Sequence, residues 1–137
     1  MGDPLGRGPR DEDLDPHLLM WDMRRTVPVD RWPAGRTVVE VVLTDRRGRG
    51  SYWWFVVHPG AAEPVDVCDT DPGHPVTATV TTTLRELTRI WRADVPWAAA
   101  VRHGTVAVTA PREVAEQVPG WFGHSVLGGV PRPVPAA

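Results

Sequence analysis

The sequence predicts an α+β fold, a five-stranded antiparallel sheet covered on one face by helices. Three observations carry the prediction. Two β-branched runs, 36–44 and 51–58, flank a glycine-bearing turn and read as a hairpin. Further strand-like runs at 64–68 and 76–83 follow short turn signals such as Asp71-Pro72-Gly73. The period then changes to a helical one, with Leu84, Leu87, Ile90 and Trp91 on one face.

Taken in order, residues 1–14 read as a disordered leader, rich in Gly, Pro, Arg and acid with little to bury. Asp15-Pro16 supplies an N-cap and a first-turn proline, so a short helix runs from His17 towards Val27. The strand at 36–44 turns Val39, Val41 and Leu43 one way and Val38, Glu40 and Val42 the other. In the strand at 51–58 both faces, Trp53/Phe55/Val57 and Tyr52/Trp54/Val56, are apolar, which predicts burial on both sides. Thr83 caps the helix that follows, with Arg85, Glu86 and Arg89 on its outer side. Pro96-Trp97 opens another short helix that Gly104 closes. Residues 105–109 form the fifth strand, and Pro111 opens a last helix carrying Val114, Val118 and Trp121. The domain is expected to span 15–123, with a flexible tail at 124–137.

Composition narrows the function. A length of 137 residues suits one domain, and a hydrophobic share of 42% supports a true core. A single cysteine rules out an internal disulfide and weakens any structural zinc site. A net charge of −2 lacks the footprint of a stand-alone nucleic-acid binder. No apolar run is long enough to span a membrane, and the charged N-terminus has no signal-peptide core. A cytoplasmic protein is therefore expected. All 15 basic residues are arginine, which reads as genomic bias. Of the 10 aromatic residues 7 are tryptophan, a ring suited to core layers and to the walls of apolar pockets.

The stretch 77–122 carries a resemblance. A strand leads into Thr83-Leu84-Arg85-Glu86-Leu87, then come Asp94-Val95-Pro96-Trp97, the turn Arg102-His103-Gly104, a short strand and the helix from Pro111. This order resembles the second half of the sterol-carrier-protein-2-like domain. Upstream, Leu19-Met20-Trp21-Asp22-Met23-Arg24-Arg25, Trp53-Trp54-Phe55-Val56-Val57 and Val65-Asp66-Val67-Cys68 resemble an actinobacterial branch of it. In that branch the domain lies C-terminal to an HxlR-type winged helix-turn-helix. The resemblance covers roughly residues 16–123 and implies an apolar cavity between sheet and helices that holds a lipid or another apolar small molecule. The residues placed on that cavity are Met20, Trp21, Trp53, Trp54, Phe55, Leu87, Trp91, Trp97, Val101 and Trp121. No helix-turn-helix precedes the domain here, so the resemblance implies a DNA-binding half that is lost or on another chain.

The expected function is thus non-catalytic binding of an apolar ligand, with no cofactor, no metal and no direct nucleic-acid contact. Two alternatives stand beside it. One is a cyclase- or isomerase-like enzyme of specialised metabolism, with Glu40, Asp66 and His58 as acid or base. The other is an interaction module that forms a homodimer or serves a separate DNA-binding partner. Asp66, Asp69, Asp71 and His74 crowd together in sequence, but turn chemistry accounts for Asp71, and strand alternation sends Asp66 and Cys68 to one face, so no metal site is expected. Cys68 in a valine-rich strand reads as a small hydrophobe rather than a nucleophile.

Overall fold

The structure is a computed structural model that describes residues 14–123. The expected leader and the tail at 124–137 lie outside the described residues, except Leu14, which packs against the core. Helix α1 spans Pro16–Thr26, and the side chain of its N-cap Asp15 accepts from the His17 N–H. Leu19, Met20 and Met23 turn inward, whereas Leu18 and Trp21 stay exposed.

Strands β1 (Thr37–Leu43), β2 (Tyr52–Val57) and β3 (Val65–Cys68) form an antiparallel meander. Strand β4 (Ala78–Thr82) then pairs with the far side of β1, and β5 (Ala107–Thr109) closes that edge antiparallel to β4. The order is β3-β2-β1-β4-β5, which leaves β1 central and nearly all buried.

The sheet is mixed, not purely antiparallel as expected, because β1 and β4 run parallel. The registers give the reason. Cys68 at the end of β3 is level with Trp54 and hence with Glu40, while Ala78 at the start of β4 is level with Val39. The intervening residues 69–77 need only run across the strands, about 14 Å for three strand spacings. Such a short link looks in sequence like a hairpin turn.

Val39, Val41 and Leu43 face the core with Trp53, Phe55, Val57, Val65, Ala78 and Val80. Helix α2 (Leu84–Trp91) brings Leu84, Leu87 and Ile90 onto this face. Glu86, expected outside, is buried instead, accepting from Thr105 Oγ1 at 2.7 Å with Arg89 at 3.4 Å. The loop after helix α3 (Trp97–His103) folds back over α2 and covers it, once Gly104 has ended α3 in the left-handed conformation at φ 80°. The last helix, α4 (Arg112–Gln117), is shorter than expected and passes into a 3-10 turn, Val118–Trp121. Pro119 has no N–H to continue the α ladder.

Five rings close the core at this end. Trp32 stacks on Trp121 at 4.7 Å and donates from Nε1 to the Trp121 carbonyl at 2.7 Å. Phe122 meets Trp32 and Phe55 edge-on and stacks on Trp97 at 5.9 Å. Trp121 Nε1 is a buried donor without an acceptor among the described residues. The other face of the sheet is only partly covered: Trp54 is buried, Val56 intermediate and Tyr52 exposed, so β2 is not buried on both sides throughout.

Candidate functional site

A groove of about 390 Å³ opens between the first half of α1 and the β2–β3 edge of the sheet. That volume lies within the range of small-molecule sites. Buried Met20 and Trp53 form its floor, Leu18, Trp21 and Val67 add apolar walls, and His17, Cys68 and Asp69 make the rim.

Each wall is held by identifiable contacts. Trp53 Nε1 donates to the Gly50 carbonyl at 2.7 Å, which fixes the indole against the β1–β2 turn. The His17 ring meets Trp53 edge-on at 4.9 Å. Arg24 Nε donates to the Val65 carbonyl at 3.1 Å and ties α1 to the edge strand β3. The same guanidinium lies 5.1 Å from the centre of the Trp21 ring, a cation–π contact that orients an exposed indole.

The rim is polar and charged. Asp69 accepts from Arg49 Nε at 3.0 Å and from Thr70 Oγ1 at 3.4 Å, and His17 Nε2 is 3.9 Å away. The hydrogen bond from Arg49 holds the Asp69 carboxyl below the usual carboxylate range. Cys68 is affected oppositely: burial, and then the charge of Asp66, push its thiol up from 9.0. Its Sγ lies 3.6 Å from Asp66 Oδ2, so at neutral pH it carries its proton and is a weak nucleophile.

Of the ten residues expected on a cavity, Met20, Trp21 and Trp53 meet in this groove. Phe55, Leu87 and Trp121 are buried in the core, and Trp91 and Trp97 pack half-buried against it. Trp54 lies on the opposite sheet face, stacked with Tyr52, and Val101 is exposed on α3. Leu18, His17, Val67 and Asp69 escaped sequence reasoning as site residues; only the i, i+3 spacing of Leu18 and Trp21 signals a second apolar stripe on α1.

Glu40, Asp66 and His58 do not converge. Glu40 accepts from Thr79 Oγ1 at 3.2 Å on the face away from the helices. Asp66 is exposed on β3, with β2 between it and β1. Those two strands are about 10 Å apart. His58 is exposed just past the end of β2. Asp71 accepts from its own Gly73 N–H at 2.8 Å. No group of three or more metal-ligating side chains forms among the described residues. Nor is any helix among them long and apolar enough to cross a membrane.

No protein-family model and no curated protein matches the sequence. Solved structures do match. The stereoselective inverting sec-alkylsulfatase Pisa1 from Pseudomonas sp. superposes with a TM-score of 0.61 at 14% identity, over 89% of this chain. The chain spans only 18% of that enzyme's length. The ubiquinone synthesis protein UbiJ-SCP2 superposes with a TM-score of 0.52 at 19% identity, covering 77% of this chain and 86% of the other. At such identities the likeness is one of fold, and this chain has an SCP2-like fold.

Proposed function

We propose that the chain is a binding module for an apolar or amphipathic, lipid-like small molecule held in the groove between α1 and the β2–β3 edge. One observation carries the reading: an apolar groove of ligand size, walled by the exposed Leu18 and Trp21, ends in a polar rim of His17 and Asp69. The apolar tail of a ligand lies on Met20 and Trp53, and its polar end meets the rim. The sterol-carrier fold supports the lipid-like class. The sequence resemblance to domains attached to winged-helix regulators supports a signal-reading role, in which occupancy is passed to a second copy or to a separate DNA-binding chain.

The reading is tested by titrating the protein with a long-chain fatty acid and with a sterol while following tryptophan emission. A saturable change at micromolar ligand is expected, since Trp21 and Trp53 line the groove. Leu18→Glu places a charge in an exposed wall without touching the core and should weaken binding at least tenfold. No response to either lipid, or a response unchanged in Leu18→Glu, overturns the reading.

A further inference from the structure

The seam between α1 and β3 continues beyond the groove. Farther along the same two elements lies a second pocket of about 370 Å³. Its walls include Arg24, Arg25 and Val27 at the end of α1, Val29 after it, and Pro64 and Val65 at the start of β3. Residue spacing sets the two spaces end to end. Along α1 the groove takes His17 to Trp21 and the pocket begins at Arg24, about 4.5 Å of helix farther on. On the strand side the groove takes Val67 to Asp69 and the pocket takes Val65. Arg24 stands between them. Its guanidinium lies 5.1 Å from the centre of the Trp21 ring, a groove wall, and its Nε donates to the carbonyl of Val65, a pocket wall, at 3.1 Å. One charged side chain thus crosses a seam that is apolar on either side of it.

We propose that Arg24 sets the length of ligand the groove accepts, as a bar against which an apolar tail stops. The inference rests on the lipid-like ligand proposed above, with its polar end at His17 and Asp69 and its tail directed along α1. Each methylene buried on Met20 and Trp53 strengthens binding until the tail reaches Arg24. A longer tail must leave its end in water or push the guanidinium off the Val65 carbonyl, which breaks a hydrogen bond and buries no charge partner in return. Without the bar, groove and pocket form one channel.

The probes are the even-numbered saturated fatty acids from octanoate to stearate, titrated into the full chain while tryptophan emission is followed. In the unsubstituted protein the affinity should rise, by up to about fourfold for each methylene buried, and then level off. In Arg24→Ala the levelling should move to an acid at least two carbons longer. Adding Ala62→Trp, which fills the second pocket from an exposed position, should move it back. Ala62→Trp alone should leave it unchanged. Arg24→Gln, which keeps a donor and part of the stem, is read in the same way if Arg24→Ala does not fold. The proposal falls if the levelling stays at one chain length in all variants. It falls equally if the Arg24 variants weaken every acid by the same factor, since Arg24 then only fastens α1 to β3. Binding of no acid at all overturns the groove reading itself, an outcome distinct from both.

Discussion

Asp69 and Cys68 are adjacent on the groove rim and are shifted in opposite directions. The folded-state value of Asp69 lies below the ordinary 3.8 because Arg49 donates to it. A depressed carboxyl contributes stability above its unfolded value and loses that contribution as the pH falls through the folded one. Asp69→Asn is therefore expected to lower the urea midpoint at pH 7, and the gap from the unsubstituted protein should close well below pH 3.8. Both halves of that expectation are read from unfolding curves at the two pH values. Cys68 stands above its ordinary 9.0, so iodoacetamide should alkylate it more slowly at pH 7.5 than it does free glutathione. Rim residues of this kind were hard to read in the sequence. In the sequence Asp69 is one more acid in the crowded stretch 66–74, since its partners His17 and Arg49 come from distant parts of the chain. Glu86 was misread for the same reason, because the loop that covers it belongs to a later element.

At the scale of elements, local signals were the most legible. Asp15-Pro16, Thr83 and Gly104 act at the helix ends as their chemistry requires. What local signals omit is help from afar. The first turn of α2 is held by Thr83 Oγ1, which takes the Glu86 N–H at 3.0 Å. It is also held by Asp45 of the β1–β2 turn, which takes the Leu84 N–H at 2.7 Å. Thr83→Ala and Asp45→Ala should each cost about 1 kcal/mol in chemical denaturation. The double variant should cost more than the sum of the two if one cap compensates for the other. The parallel pairing of β1 and β4 was likewise hidden, since nothing in residues 69–77 distinguishes a link across the sheet from a turn to the next antiparallel strand.

Across the whole molecule, five of the seven tryptophans divide between two tasks. Trp32, Trp97 and Trp121 join Phe55 and Phe122 in a ring cluster that locks Trp121 and Phe122 onto the sheet. Phe122→Ala, at the centre of that cluster, should cost about 3–5 kcal/mol by leaving a cavity, measured as a fall in the denaturation midpoint. Trp21 and Trp53 face the groove instead. Composition alone could not separate these tasks, because a ring that fills a core and a ring that walls a pocket look alike until helix α1 is placed. The central claim is that the groove holds an apolar ligand. Native mass spectrometry of the protein incubated with a mixed lipid extract, with Leu18→Glu alongside, tests it most directly. One bound lipid per chain in the unsubstituted protein, depleted in Leu18→Glu while the variant stays folded, is the predicted result. Bare protein in both samples, or equal lipid in both, would contradict it.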